Sequence, residues 1–223
     1  MTYAGNPQDR KLRMIVIGFV VLTAAAALLC WRFAGRGTEG FRLAESSDRL
    51  DRLKAIDLLR GRTDAPAIEA LFGLCSDGDE RVAVAAVWAL GASPTPESRE
   101  RIDQLFAEKN RPARVRGQAA EMLGKFKDTA PAVLTGALLE ESQPAVRAGA
   151  ARGLRHLRKV KTIGFLYRAL SDPDEAVRRD AYKAMSVMMV RRFAYRPELP
   201  AARQPAAMAA IKAYLLEARV KIP

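Results

Sequence analysis

Apolar residues recur along residues 46–190 at positions that fall on one face of an α-helix. The stretch LSDPDEAVRRDAYKAM at 170–185 shows this most clearly, because Val177, Ala181 and Met185 follow one another at intervals of four. Residues four and eight positions apart lie on the same side of a helix, whereas a strand would alternate at every second residue. No strand-like alternation of useful length occurs in the sequence, which therefore predicts an all-α protein.

This helical fragment repeats along the chain, after an acidic or polar turn in each case. The marking valine of each copy is followed by alanine four positions later and by leucine or methionine eight positions later. The marking valines are Val82, Val115, Val146 and Val177, which are separated by 33, 31 and 31 residues. A weaker copy at 46–61 places Leu50 32 residues before Val82. A fixed period of this size is the signature of a repeat protein.

Each copy is preceded by a second apolar-periodic stretch, so the repeating unit is predicted to be a helical hairpin. Ile68, Leu71 and Phe72 form such a stretch before the copy at 76–92. A single hairpin cannot bury its apolar face, but stacked hairpins can cover one another. The sequence thus predicts an α-solenoid of about four and a half hairpins. Paired acids such as Asp77 and Asp79 are expected to cap the second helices rather than to perform acid–base chemistry.

These residues resemble HEAT repeats, particularly the short bacterial form found also in phycobilin-lyase-like proteins. The resemblance covers roughly residues 46–190 and is strongest in the D-x-x-x-VR pattern of the fourth copy. In that family, an aspartate in the turn and an arginine after the valine tend to form a ladder between units. Arg116, Arg147 and Arg178 match this arginine, but Ala83 replaces it in the first full copy. We therefore expect the ladder to be interrupted towards the N-terminal end.

The N-terminal region contains an uncharged apolar run, MIVIGFVVLTAAAALLCW, at residues 14–31. As a helix it would be about 27 Å long, close to the hydrocarbon thickness of a bilayer. We predict an N-terminal tail at 1–13, a single transmembrane helix at 14–34 and a linker at 35–47. A cleaved signal peptide, or a lipoprotein signal ending at Cys30, are the alternatives. Basic residues flank both ends of the run and only weakly favour a soluble domain on the non-cytoplasmic, periplasmic side of the membrane.

The net charge of +12 is unevenly distributed. Residues 1–40 carry +3, residues 41–107 carry −3, and residues 108–223 carry +12. This asymmetry suggests an anionic partner, which could be nucleic acid, lipid head groups or an acidic protein surface. A merely solubilising basic surface is the alternative.

Residues in the patterns required for catalysis or for binding metals or cofactors are not found. The single histidine, His156, lies towards the end of a predicted helix, and the two cysteines, Cys30 and Cys75, form neither a disulfide framework nor a metal motif. The sequence therefore predicts no catalytic residues, no metal and no cofactor. A lyase-like enzyme using the groove of the solenoid is a minor alternative, because a resemblance in scaffold positions does not transfer an activity.

The candidate binding residues lie on the second helix of each hairpin, at positions off the buried face. Second helices line the concave surface of HEAT-like solenoids, so the resemblance implies that these positions align along that surface. An apolar patch at one end would lead to a basic ridge at the other. The residues are Trp88, Glu121, Arg152, Arg155, Lys159, Arg179 and Lys183.

Together these observations predict a repeat solenoid at 48–190, followed by a loop and a capping helix at 191–223. The favoured function is a membrane-anchored, non-catalytic scaffold that binds another protein, as a subunit or assembly factor of a membrane complex. Binding of nucleic acid or anionic lipid through the basic ridge is the alternative, although nucleic acid is disfavoured because the sequence lacks interleaved aromatic residues for base stacking.

Overall fold

The computed structural model describes residues 38–223, and every regular element in that range is helical. A short helical stretch at residues 38–44 comes first. The α-helices that follow are α1 Arg49–Leu59, α2 Ala65–Leu74, α3 Glu80–Leu90, α4 Pro96–Ala107, α5 Ala113–Leu123, α6 Pro131–Glu140, α7 Pro144–Leu157, α8 Ile163–Ala169, α9 Glu175–Met189 and α10 Pro205–Glu217. Single 3₁₀ turns lie at Val160–Thr162 and Ala201–Arg203.

The helices form the two layers of an α-solenoid. Helices α1, α3, α5, α7 and α9 pack side by side as an inner layer, and α2, α4, α6 and α8 lie outside them. Inner helices contact one another more extensively than outer helices do, especially from α5 to α9. Closer spacing on one side bends a stack towards that side, so the inner layer forms the concave surface.

The positions that mark the repeat in the sequence form the core between the layers. The valine, the alanine and the final apolar residue of the four full copies are all buried. They are Val82, Ala86, Leu90, Val115, Ala119, Leu123, Val146, Ala150, Leu154, Val177, Ala181 and Met185. The 0, 4 and 8 pattern therefore identified the face that each of these four inner helices turns towards its neighbours. In α1, Leu50, the predicted marking residue of the weaker copy, is exposed, and Ala55 and Leu59 are buried instead.

Backbone-to-backbone contact brings α5 and α7 unusually close. A Cβ atom added to Gly149 would lie 1.9 Å from the carbonyl oxygen of Gly117, and one added to Gly124 would lie 2.0 Å from that of Gly153. No side chain fits at these positions, so the glycines are what permits the close packing of the central inner helices.

The two acids of each pair have different roles. Asp79 accepts a hydrogen bond from the backbone N–H of Arg81, and Asp174 accepts from those of Ala176 and Val177. These two acids cap α3 and α9, as expected. The first acid of each pair, Asp77 and Asp172, instead binds an arginine of the preceding unit.

The described chain begins differently from the predicted linker. Residues 38–44 are helical, and Leu43 is buried while Phe41 packs against the core. Gly40 allows this turn to approach Leu59 closely, since a Cβ there would lie 3.1 Å from its Cδ2 atom. Burial of the Phe41 and Leu43 side chains thus holds residues 38–44 against α1.

The transmembrane helix predicted at 14–34 lies outside the described residues and stays a prediction, as does the tail at 1–13. Within residues 38–223, none of the helices is sufficiently long and apolar to cross a bilayer.

Helix α10 follows the irregular segment at 190–204 and packs against α8. Its Ile211 and Leu215 are buried. Helix α10 therefore continues the outer layer beyond α8, and no inner helix follows α9 within the described chain.

Candidate binding surface

A ladder of arginines joins successive units along one edge of the solenoid. Three arginines of inner helices each donate two hydrogen bonds to a carboxylate in the turn of the next unit. The pairs are Arg52 with Asp77 at 2.6 and 3.1 Å, Arg116 with Glu141 at 2.7 and 3.2 Å, and Arg147 with Asp172 at 2.8 and 2.9 Å. Such two-point pairs fix the relative orientation of the planar groups as well as their distance.

Arg52, Arg147 and Arg178 also bind carbonyl groups of their own turn. Arg147 donates to the carbonyl oxygens of Glu141 and Ser142, at 2.8 and 2.9 Å. Arg178 donates likewise to Asp172 and Pro173, but its remaining bond goes to the carbonyl of Pro197 in the segment after α9. The ladder thus sets the spacing of the units. Its last arginine, Arg178, binds the segment after α9 in place of a carboxylate of a further unit.

The predicted interruption at Ala83 is present but is bridged from the opposite direction. Ala83 is buried and offers no polar group. Arg111, in the turn of the following unit, donates to Ser76 Oγ at 2.9 Å and to the Cys75 carbonyl at 3.4 Å. Glu108 holds the same guanidinium from its other side. The second and third units are therefore joined despite the missing arginine.

Trp88 lies on the inner surface of α3 with 41% of its surface exposed. Two cations flank its ring: Arg60 Cζ is 5.1 Å and Lys125 Nζ is 5.7 Å from the ring centroid. On the α3 side the ring borders a depression of about 390 Å³, which we name the Trp88 groove. Its lining residues are Glu80, Arg81, Val84, Ala85, Trp88, Arg114 and Gln118.

Glu121 is the centre of an ion cluster further along the inner layer. Arg152 Nε lies 2.6 Å from its carboxylate, His156 Nε2 lies at 3.5 Å and Arg155 Nη2 at 3.9 Å. Burial alone would raise the pKa of Glu121, but the contacts with His156 and Arg152 outweigh it and lower this pKa from 4.5 to about 2. Glu121 is therefore a carboxylate at any physiological pH.

Arg152 joins this cluster to α9. Its Nη1 atom lies 2.6 Å from Asp180 Oδ2, so the guanidinium is held between two carboxylates on neighbouring helices. The predicted basic ridge is consequently interrupted at Arg152, whose charge is offset by Glu121 and Asp180. Arg179 also has an acidic neighbour, Glu175, at 3.5 Å on the exposed face of α9.

The predicted binding residues therefore fall into separate groups. Glu121, Arg152 and Arg155 meet in the central ion cluster, whereas Trp88 stands in its own groove. Arg179 and Lys183 line a second groove at the C-terminal end of the inner layer. Lys159 lies apart, exposed in the turn that follows α7. The structure places these residues, while their use by a partner stays a prediction.

Several neighbours of these residues were not found from the sequence. Arg60 and Lys125 flank Trp88, while His156 and Asp180 belong to the central cluster. The sequence prediction used the positions two, six and nine residues after each marking valine. Asp180 lies three residues after Val177 and His156 lies ten residues after Val146, while Arg60 and Lys125 follow the ends of their helices. Widening this selection by one residue would have included both Asp180 and His156.

Within the described part of the chain, histidine, cysteine and acidic side chains do not gather into a group that could hold a metal ion. Cys75 is buried, and this burial raises the pKa of its thiol to about 12, so the nucleophilic thiolate is not formed near neutral pH.

Comparison with known proteins gives one family match. The model of the HEAT repeats matches residues 42–124 and 131–218, which together make up most of the chain. No curated protein matches the sequence significantly. The matched ranges include the helical pairs of the solenoid and extend over α10. This chain belongs to the HEAT-repeat family, because the family matches most of its sequence and its stacked hairpins and ladder between units agree with that match.

Proposed function

We propose that this protein is a membrane-anchored HEAT-repeat scaffold that binds another protein through the Trp88 groove and has no catalytic activity of its own. The carrying observation is the exposed Trp88 ring on the inner surface, beside the aliphatic side chains of Val84 and Ala85. Tryptophan is strongly over-represented among the residues that dominate binding energy at protein interfaces.

The charges around the groove suit a protein partner with carboxylates next to an apolar residue. Lys125 lies beside the Trp88 ring without an ion pair in the described chain, and Arg60 lies beside it with only the exposed Asp57 as a partner, at 3.2 Å. An apolar side chain of the partner that covers the Trp88 ring would exclude water from it. This exclusion would strengthen contacts between the neighbouring cations and acidic residues at the edge of the partner's contact segment. The partner's contact segment is thus expected to be apolar at its centre and acidic at its edges.

Binding of nucleic acid through the inner surface draws less support. A phosphate backbone requires a continuous row of unpaired cations. Arg152 instead lies between Glu121 and Asp180, and Glu121 also approaches Arg155. The centre of the inner surface therefore carries compensated charge.

The uncharged run at 14–31 supports the membrane anchor and a role beside other membrane proteins. Alkaline extraction tests this part: the full chain should stay in the membrane pellet, and a variant lacking residues 14–34 should be released. Reporters fused to the C-terminus should be active only outside the cytoplasm. Release of the full chain would reject the anchor, and cytoplasmic reporter activity would reject the proposed orientation.

Affinity capture from solubilised native membranes tests the groove. Trp88→Ala is compared with Leu216→Ala, since Leu216 is another large apolar residue exposed in α10, with 60% of its surface accessible. We expect one defined protein to co-purify with the natural chain and with Leu216→Ala, and to be lost with Trp88→Ala at unchanged melting temperature. An identical set of proteins from all three chains would reject the groove as the binding site.

A further inference from the structure

The inner layer ends at α9 with a helix face that no following helix covers in the described chain. On α5, Gly117, Ala120 and Gly124 lie two, five and nine residues after the marking valine, and their backbone contacts α7. The corresponding residues of α9 are Arg179, Tyr182 and Ser186. Because α10 lies against α8 in the outer layer, no helix covers this face of α9. The segment after α9 covers part of it, where Tyr182 stacks on Tyr195 and bonds to the backbone of Phe193.

The part of this face that stays uncovered forms one wall of a groove of about 530 Å³, which we name the α9 groove. The other wall comes from the segment after α9, including Arg191, Arg192 and Pro197. Its apolar lining is unusually accessible: Val187 is 43% exposed and Val190 is 89% exposed. Exposed aliphatic side chains in a concave surface are typical of a site that buries an apolar stripe.

One polar atom in the groove also lacks a partner. The hydroxyl oxygen of Ser186 is buried, and no hydrogen bond to it is formed within the described chain. A buried hydroxyl without a hydrogen bond is costly and is seldom left so in a complete assembly.

The rim of the α9 groove is positively charged. Lys183, Arg191 and Arg192 have no carboxylate partner among residues 38–223, and Arg179 has only the exposed Glu175. Arg191 stacks over the rings of Tyr214 and Phe193, at 4.6 and 5.3 Å, which fixes its guanidinium at the rim. Unlike the central cluster, this end of the inner layer therefore has uncompensated cations.

We propose that the α9 groove binds an acidic amphipathic helix of a partner protein, which occupies the place that a further inner helix would take. The apolar stripe of that helix would cover Tyr182, Val187 and Val190, and its carboxylates would face Lys183 and Arg192. Helices commonly bind to apolar grooves in this manner. The N-terminal segment of this chain does not fit the groove, because Asp9 is the only acid in residues 1–37.

The inference adds a second contact to the proposed scaffold and does not depend on the Trp88 groove. The probe is a fluorescent helical peptide of about 16 residues, built from alanine with a leucine stripe flanked by glutamates. Its binding to the full chain in non-ionic detergent is followed by fluorescence anisotropy. Two matched peptides carry lysine for every glutamate, or serine for every leucine.

The double variant Lys183→Glu/Arg192→Glu should bind the acidic peptide at least about tenfold more weakly and should prefer the lysine peptide. Lys127→Glu/Arg168→Glu changes the net charge equally at exposed positions elsewhere and should leave binding unchanged. All four residues are exposed, and unchanged helical circular dichroism and melting temperature would verify folding. Trp88→Ala should also have no effect, so that failure of either proposal can be recognised separately.

Four outcomes would overturn the inference. Equal binding by the two double variants would remove the groove from the interaction, and undiminished binding of the serine peptide would show charge attraction without a helix groove. Displacement of the peptide by phosphatidylglycerol in mixed detergent micelles or by single-stranded DNA, at lower concentrations than unlabelled peptide requires, would assign the cations to lipid or nucleic acid. Self-association that depends on Lys183 and Arg192 would assign the groove to a second copy of this chain.

Discussion

Arg111 donates a hydrogen bond to Ser76 across the boundary between the second and third units, at 2.9 Å from Nη1 to Oγ. This bond lies where Ala83 leaves out the arginine that the other inner helices provide. The ladder is consequently formed from both directions, and the coupling between units does not require the same residue in every copy. In a solenoid each unit is stabilised chiefly by its neighbours, so one missing contact weakens the stack at that boundary.

Arg111→Ala should therefore lower the free energy of unfolding by about 1–2 kcal/mol, since it removes hydrogen bonds of a guanidinium that is only 16% exposed. The matched control is Arg114→Ala, whose ion pair with Glu80 is at the surface with the arginine 71% exposed. That pair should contribute less than about 0.5 kcal/mol. Urea unfolding followed by circular dichroism compares the two, and equal losses would contradict a structural role for Arg111.

Gly149→Ala should destabilise the centre of the solenoid by more than about 2 kcal/mol, because the new methyl group would collide with the backbone oxygen of Gly117 and force α5 and α7 apart. Gly136→Ala is the control, as no atom lies within 4 Å of its Cβ position in α6. There the substitution should stabilise the protein by about 0.5–1 kcal/mol through helix propensity. Thermal unfolding of the two variants should thus shift in opposite directions, and a shift in the same direction would reject the close-contact account.

Glu121 predicts a pH dependence of stability. Its pKa is lowered on folding from 4.5 to about 2, so its contribution is complete above about pH 4.5 and is lost as the pH falls towards 2. Glu121→Gln should lower the free energy of unfolding by about 2–4 kcal/mol near neutral pH, because Arg152 would keep only Asp180. The gap between the two proteins should narrow between pH 4.5 and pH 2, and a gap independent of pH in that range would show that the carboxylate charge is not responsible.

Trp88 predicts a selective response to ionic quenchers. With Trp31 replaced by phenylalanine, Trp88 is the only tryptophan in the chain. Arg60 and Lys125 should attract iodide to the ring and repel caesium, so iodide should quench the fluorescence several-fold more efficiently. Arg60→Ala/Lys125→Ala should reduce this preference. Equal quenching by both ions in the starting protein would mean that the two cations do not control access to the ring.

Local patterns in the sequence were sufficient to predict much of the architecture. The spacing of Val82, Ala86 and Leu90 requires a helix with one buried face, and the recurrence of that spacing requires stacked units. Contacts between units were harder to predict, because they depend on how far long side chains reach across a boundary. The division of labour between Asp77 and Asp79 and the reversed bond from Arg111 are of this kind.

The candidate site was predicted only in part, because it also depends on contacts between units. Trp88 lies off the buried face of its helix, so its exposure followed from the helical period. The basic ridge was predicted from cations at aligned positions of successive helices. That selection did not consider the acidic side chains on neighbouring turns. Asp180 on α9 reaches Arg152 on α7, which turns a predicted cation into the middle of an ion triplet. Only the three-dimensional arrangement distinguishes paired from unpaired cations here.

Photo-crosslinking in native membranes shows whether the inner surface of this HEAT-repeat protein contacts another protein. A photoreactive amino acid would replace Gln118 in the Trp88 groove, and Glu100, exposed on the outer helix α4, would be replaced in a parallel chain. We expect one discrete protein adduct at position 118 that disappears with Trp88→Ala, and no such adduct at position 100. Absence of an adduct at position 118, or the same adduct from both positions, would contradict this expectation.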